Sequence, residues 1–299
     1  MMRFAPHPFS LRQLQYVVAV ADLRSFRRAA EACHVSQPSL SAQIAQLEEG
    51  LGVVLYARDR RGVLLTPAGE ALVERARRLV VDGDAMVDAA RRAGDPLSAP
   101  LRIGVIPTIA PYLLPDLTPR LRARFPRLTT LWTEDKTPVL AARLAAGTLD
   151  AAILALEADL GEVDHAVLGI DPFVLAVPSD HPLAAQQGPV EEETLAEERV
   201  LLLDEGHCFR TQALAWCRRA DVQELAYRAT SLGTLTQMVA GGAGVTLLPK
   251  MAVATELQRA SLCVRPIADP APYRTIVLAW RTRSPLAEAL QTLATEMGV

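Results

Sequence analysis

Val200-Leu201-Leu202-Leu203-Asp204-Glu205-Gly206-His207-Cys208-Phe209-Arg210-Thr211-Gln212-Ala213-Leu214-Ala215-Trp216-Cys217 reads as strand, turn, helix. The apolar run 200–203 enters as a buried strand and Gly206 supplies the turn. No Gly or Pro interrupts the chain from Cys208 to well past Cys217. Cys208 is thereby placed at or near a helix N-terminus, with His207 and Arg210 as sequence neighbours. The helix dipole and positive neighbours favour a thiolate, the reactive form of the side chain. A peroxide would oxidise such a thiolate to a sulfenic acid, which a second thiol can capture as a disulfide. Cys217 is the second thiol at hand. On one continuous helix, a rise of about 1.5 Å per residue sets the two Cα atoms about 13 Å apart. A disulfide needs them within about 7 Å. The bond therefore requires the helix to unwind, which would turn thiol oxidation into a conformational switch. Two inert thiols would satisfy the same spacing, and these residues by themselves leave both readings open.

The flanking segments repeat the alternation. Strands are expected at 101–106, 129–133, 149–156, 167–177, 225–229, 245–248, 262–267 and 275–281. Helices are expected at 112–124, 138–146, 208–219, 232–240 and 286–297. The pattern is that of an α/β domain with largely parallel sheets. Crossings near 170 and 269 suggest two lobes, 101–169 with 270–299 and 170–269, enclosing a ligand-binding or reactive cleft. Thr108 and Thr137 follow strand ends, where α/β folds place ligand contacts; as helix caps they are explained equally well. Gly241-Gly242-Ala243-Gly244 is a turn into a strand and lacks a dinucleotide fingerprint.

The first third has another character. Helices are expected at 11–23 and 26–32, then a third opened by Ser36 with Pro38 in its first turn and running to about Glu49. Two short helices joined by the turn Cys33-His34-Val35 describe a helix-turn-helix, with Cys33 as a buried small residue. Gln37, Ser39, Ser41 and Gln43 lie off the apolar stripe and carry short hydrogen-bonding groups suited to base edges or phosphates, although a solvated face reads the same way. Residues 51–66 read as two short strands around a wing whose Arg58, Arg60 and Arg61 could reach phosphates or the minor groove. A long helix follows to about Arg92, with a stripe of Leu72, Ala76, Leu79, Val80, Val87 and Ala90 that a second copy could cover. Gly94 to Pro100 is a linker by composition, so the expected organisation is 1–66, 67–94 and 95–299.

Composition narrows the classes. Half of the 299 residues are hydrophobic and the net charge is −3, which excludes a wholly basic nucleic-acid coat. Residues 1–92 nevertheless carry 13 Arg against 10 acidic residues, the sign that suits an N-terminal nucleic-acid module on a more acidic body. There is no apolar signal core and no run of about 18 apolar residues, so a cytoplasmic protein is expected. The four cysteines (Cys33, Cys208, Cys217, Cys263) point to a reducing compartment. No GxxxxGK[ST], HExxH, GxSxG or CxxC occurs, and Cys33 with His34 lacks partners at metal-ligand spacing.

Ser36-Gln37-Pro38-Ser39-Leu40-Ser41, Leu47-Glu48-Glu49, Leu51-Gly52 and Leu65-Thr66-Pro67-Ala68-Gly69 resemble the winged helix and linker of LysR-type transcriptional regulators, and the resemblance runs the length of the chain. Ile106-Pro107-Thr108-Ile109-Ala110-Pro111-Tyr112-Leu113-Leu114-Pro115, Gly206-His207-Cys208-Phe209-Arg210 and Cys217 resemble the hydrogen-peroxide-sensing branch of that family. The resemblance implies an N-terminal winged helix-turn-helix (all-α with a small β wing), a long linker helix, and a two-lobed α/β regulatory domain similar to periplasmic binding proteins. It implies that Cys208 is the peroxidatic thiolate and Cys217 the resolving thiol, with Thr108, Thr137, His207 and Arg210 around the peroxide. Ser36, Gln37, Pro38, Ser39, Ser41, Gln43, Arg58, Arg60 and Arg61 would meet promoter DNA. It also implies a dimer through the linker helix, a homotetramer, RNA polymerase and a thiol reductant as further partners, and no cofactor, metal or catalytic turnover. Thr211 stands where the family often has an acid, and a threonine supplies no carboxyl for proton transfer there. The alternatives are a regulator answering a small organic effector in the cleft and, in another class, a thiol peroxidase, for which a winged helix has no use.

Overall fold

A computed structural model describes residues 6–59, 62–91, 99–195, 198–219 and 223–298. Arg60, Arg61 and most of the expected linker lie outside the described residues. The chain divides into two compact units, Met1–Arg91 and Arg92–Val299.

In the first unit, α1 (Leu11–Leu23), α2 (Phe26–Ala32) and α3 (Gln37–Leu51) precede the antiparallel pair β1 (Tyr56–Asp59) and β2 (Gly62–Leu65), and α4 (Pro67–Arg91) closes it. Each of the first three helices starts on a serine. Ser10 accepts from the Gln13 N–H while the Gln13 side chain returns a bond to the Ser10 N–H, Ser25 accepts from the Arg28 N–H, and Ser36 from that of Ser39. Such a cap contributes about 1 kcal/mol. Val17, Val20, Ala29, Ala30, Leu40, Ile44 and Leu47 form the core beneath them. Glu48 ties α3 to the wing by accepting from the Leu55 and Tyr56 N–H groups at 2.6 and 3.3 Å. Gly69 admits no side chain, because a Cβ there would lie 2.2 Å from the Leu55 carbonyl oxygen. Cys33 is half-buried, not buried as expected, because it sits where α2 ends and the chain turns outward. The expected stripe on α4 divides, with Ala76 buried within the unit and Leu79 and Val87 exposed; outside that stripe, Val73 is buried and Met86 exposed.

The second unit runs β3 (Leu101–Val105), α5 (Ala110–Arg124), β4 (Thr130–Glu134), α6 (Thr137–Ala145), β5 (Ala151–Ala155), β6 (Val163–Pro178) and α7 (Pro182–Ala185). It continues through β7 (Arg199–Leu203), α8 (Cys208–Arg219), β8 (Gln223–Ala229), α9 (Leu232–Ala240), β9 (Thr246–Pro249) and α10 (Lys250–Leu257). β10 (Leu262–Arg265), β11 (Tyr273–Arg281) and α11 (Ala287–Met297) complete it. β4, β3 and β5 are parallel neighbours, and β7 is parallel to β8. β11 runs antiparallel between β5 and β6, and β6 continues into antiparallel pairing with β9 and β10. The sheets are therefore mixed, not largely parallel. The reason is β6, a single 16-residue strand in place of the shorter bent one expected. It carries the chain from one lobe to the other, and β11 brings it back alongside.

Two cores result. β3, α5, α6, β5, β11 and α11 enclose the first, to which β6 gives Ala166 and Leu168. β7, α8, α9 and β9 enclose the second, to which β6 gives Phe173, Leu175, Ala176 and Val177. No described helix is long and apolar enough to cross a membrane. α10 was not expected from the sequence. Its residues show no apolar stripe, and it starts at Pro249 without a side-chain cap.

Candidate functional site

Cys208 is the first residue of α8 and lies directly on the boundary between the two cores. Its own side chain packs with the first core, whereas Phe209 packs with the second, edge-on to Phe173 at 5.0 Å between ring centroids. Phe209, Ala213 and Trp216 form a stripe at helical spacing that fixes α8 to the second lobe. The helix is thus held by one lobe while the thiol at its tip is pressed into the other. Cys208 is a free thiol, 9 % exposed. α8 is continuous through position 217, so the separation of about 13 Å set by helical rise applies. The side chain of Cys217 lies outside the described residues.

Residues from distant parts of the chain surround the thiol. Thr137, at the start of α6, lies near enough to favour its ionised form, and the Arg274 guanidinium adds its charge. Arg274 is fully buried. It donates from Nε and Nη2 to Asp171 Oδ2 at 3.0 and 2.9 Å, from Nη1 to Thr108 Oγ1 at 2.8 Å, and from Nη2 to the Thr108 carbonyl at 3.0 Å. Asp171 in turn accepts from the Met251 N–H at 3.0 Å, in the first turn of α10. His207, also buried, precedes the thiol. Two polar atoms here are buried without a hydrogen bond of ordinary geometry among the described residues: Thr137 Oγ1 and His207 Nε2. Buried groups of this kind normally have partners, so both are open to a further hydrogen bond.

The electrostatics differ from the sequence expectation. Burial pushes the Cys208 thiol above its ordinary value; Thr137, Arg274 and the helix-terminal N–H groups oppose that push without overcoming it. The expected helix-terminal thiolate is therefore not the resting form, because the lost solvation outweighs the dipole. Arg210 is not the cation beside the thiol. Its guanidinium donates to the Leu203 carbonyl at 3.0 Å and to Glu224 at 2.7 Å, bracing α8 against β7 and β8. Burial and then the charge of Lys136 lower the pKa of His207, so it is neutral near pH 7.

One consequence is measurable. Between the pH at which an unfolded thiol ionises and the higher value of Cys208, the folded chain keeps a proton that the unfolded chain has lost. Stability contributed at this site therefore falls as pH rises through that window. For the same reason, alkylation of Cys208 by iodoacetamide is expected to be slower than that of a free thiol at pH 7. It should rise about tenfold per pH unit well into the alkaline range. A pH-independent rate would contradict the assignment.

Beside His207 the lobes enclose a cleft of about 350 Å³, lined by Pro107, Tyr112, Lys136, Ser231, Glu256 and Arg259 among others. Cross-lobe bonds border it: Tyr112 Oη donates to Glu256 at 2.8 Å and Lys136 Nζ to the Glu205 carbonyl at 2.6 Å. Sequence pattern assigns no site role to Arg274, Asp171, Lys136 or Glu256. The one available signal was a charge embedded in an apolar run, as at Arg274-Thr275-Ile276-Val277. In the first unit, Gln37, Pro38 and Ser39 are exposed on α3, Ser41 and Gln43 are half-buried, and Gln37 Nε2 bonds Ser41 Oγ at 3.2 Å. Ser36 serves as the cap. Arg58 lies on β1 opposite Val63, with its side chain outside the described residues.

Comparison with known proteins covers both units. Residues 11–70 match the family described as bacterial regulatory helix-turn-helix protein, lysR family, and residues 94–298 match the LysR substrate binding domain. The hydrogen peroxide-inducible genes activator of Pectobacterium carotovorum subsp. carotovorum is 45% identical over 286 residues, covering 95% of this chain and 94% of that protein. A full-length OxyR structure from Pseudomonas aeruginosa, a Cys-to-Asp variant, is 38% identical with a TM-score of 0.76, covering 97% of this chain and 94% of that one. A hydrogen-peroxide-bound cysteine variant of Corynebacterium glutamicum OxyR is 34% identical with a TM-score of 0.66, covering 99% and 92%.

Proposed function

The chain belongs to the LysR family of transcriptional regulators, and on that footing we propose that it is a DNA-binding regulator switched by hydrogen peroxide at Cys208. The observation that carries this reading is the buried thiol on which Thr137 and the buried Arg274 both act, with the buried His207 preceding it in the chain. Similar proteins named for hydrogen peroxide support it over most of their length.

The chemistry follows from these groups. Thr137 and His207 hold the peroxide, Thr108 orients Arg274 behind the thiol, and Arg274 stabilises the thiolate as it forms. The thiolate sulfur attacks one peroxide oxygen. The S–O bond forms as the O–O bond breaks, and the proton given up by the thiol ends on the departing oxygen, which leaves as water. Sulfur is oxidised and peroxide reduced. Cys217 then attacks the sulfenic sulfur, releasing a second water and leaving the Cys208–Cys217 disulfide. Arg210 supports α8 from the far side. Because α8 cannot carry that bond intact, oxidation rebuilds it, and repacking between lobes is passed to DNA-binding modules whose half-site spacing then changes.

The division at 1–66, 67–94 and 95–299 belongs to the same reading. So do contacts of Gln37, Pro38, Ser39, Ser41 and Gln43 with base edges or phosphates, contacts of Arg58, Arg60 and Arg61 with the DNA backbone, and dimerisation over the exposed Leu79, Met86 and Val87 of α4. A cytoplasmic homotetramer that meets RNA polymerase and is reset by a thiol reductant completes it. The protein consumes peroxide stoichiometrically and is not an enzyme. The cleft beside His207 favours one second reading, an organic effector bound between the lobes; a Cys208→Ser variant keeps its response only in that case. The deciding experiment treats reduced protein with one equivalent of peroxide, maps disulfides by mass spectrometry and footprints promoter DNA. A Cys208–Cys217 link with a changed footprint is expected. An unlinked protein with an unchanged footprint would overturn the reading.

A further inference from the structure

Lys136 reaches across the cleft to the turn that delivers the reactive thiol. It is the N-cap residue of α6, immediately before Thr137. Its Nζ donates to the Glu205 carbonyl at 2.6 Å and lies 3.5 Å from Asp204 Oδ2. Asp204 and Glu205 open the turn that ends at Cys208. The fit extends along the aliphatic stem. Gly206, at φ +87°, approaches so closely that a Cβ there would sit 2.9 Å from Lys136 Cδ. The two residues that meet at the thiol, Thr137 and Cys208, therefore each lie next to an end of one cross-lobe clamp. The Lys136 side chain is 34 % exposed, and an ion pair this open to solvent contributes little to stability.

We infer that Lys136 is a positioning residue for thiol oxidation: by clamping the turn 204–206 of one lobe to the start of α6 on the other, it holds Cys208 against Thr137. This rests on the reading of Cys208 as a peroxide-reactive thiol. Reaction with peroxide demands alignment, and a displacement of the order of 1 Å costs up to about a hundredfold in rate. Reaction with a small alkylating agent demands thiolate and access but not that alignment, and opening the turn relieves the burial that raises the Cys208 thiol. Releasing the clamp therefore moves the two rates in opposite directions. The Lys136 charge also acts on His207, after burial and against Asp204; Glu134, Asp135, Glu256 and Arg259 line the same cleft.

The experiment compares reduced full-length protein with its Lys136→Met and Lys136→Arg variants. Hydrogen peroxide oxidation of Cys208 is followed by stopped flow, and iodoacetamide alkylation of Cys208 by mass spectrometry. Lys136→Met is expected to slow oxidation about tenfold while speeding alkylation several-fold, with the melting temperature essentially unchanged. Lys136→Arg, whose guanidinium can still donate to the Glu205 carbonyl, should return both rates towards wild type. The inference falls if Lys136→Met stays within about twofold of wild type in both reactions, if both rates move the same way, or if the arginine restores neither. Should wild-type Cys208 not react with peroxide at all, the proposed function fails instead, and the alkylation series still decides whether Lys136 holds the turn.

Discussion

Replacing Arg274 by Met is expected to destabilise the regulatory unit by about 3–5 kcal/mol, the usual consequence of removing one partner from a buried ion pair. The guanidinium joins β11 to β6 through Asp171, to the segment after β3 through Thr108, and to α10 through the Met251 sulfur at 3.3 Å. Met fills much of the same volume, so the loss is electrostatic and not a cavity. What it leaves behind is Asp171, 3 % exposed, with the Met251 N–H as its remaining hydrogen-bond donor among the described residues. Removing that abandoned charge as well, in an Arg274→Met, Asp171→Leu double variant, should recover most of the stability, since hydrophobic replacements of whole buried pairs are often close to neutral. Reactivity should not recover. Arg274 is one of the groups that oppose the effect of burial on the Cys208 thiol, so without it the thiol rises further and less thiolate is present at neutral pH in both variants. Urea unfolding and peroxide oxidation, measured on the same proteins, separate the two effects. A single variant within about 1 kcal/mol of wild type would show that the pair is not the tie described. A double variant of normal reactivity would show that the charge does not act on sulfur.

That pair also marks the limit of what the sequence makes legible. Ser10 and Ser36 announce their helices because a cap acts over three residues, and the strand-turn-helix around Gly206 is local in the same sense. α8 accordingly occupies Cys208–Arg219, as its unbroken run of helix formers predicts. Arg274 and Asp171 lie 103 residues apart, and neither belongs to a pattern that points to the other. The sheets read as parallel because alternating strands and helices suggest crossovers, whereas the long β6 and returning β11 are recognisable only from pairing. The thiol shows the same limit in its chemistry. His207 and Arg210 flank it in sequence, yet burial decides its ionisation, the guanidinium that acts on it comes from β11, and Arg210 is turned towards Glu224. α10 escaped because it carries no apolar stripe; one of its buried residues is the charged Glu256, which accepts from Tyr112 and Thr236.

Oxidation by one equivalent of peroxide is expected to red-shift the fluorescence of Trp216. Trp216 is 2 % exposed and seated in the second lobe's core, next to Cys217 on the stripe with Phe209 and Ala213. Bringing the 217 Cα from about 13 Å to within about 7 Å of the 208 Cα requires α8 to unwind, and residue 216 cannot keep its place while its neighbour is displaced. Emptying the site of a buried aromatic costs on the order of 3–5 kcal/mol, which disulfide formation must offset. The same cost supplies the return: once the bond is reduced, burial of Trp216 and Phe209 draws the helix back into register. Trp280 is buried in the other core and Trp132 packs against it, so their emission should change little and serves as an internal reference. Trp216→Phe should remove most of the shift. Cys217→Ser should form a sulfenic acid at Cys208, detectable with a dimedone probe, and leave the emission near that of the reduced protein. A protein that carries the disulfide while Trp216 stays buried would refute the proposed coupling, because the sulfurs would then have met around an intact helix whose rise per residue holds their backbones too far apart.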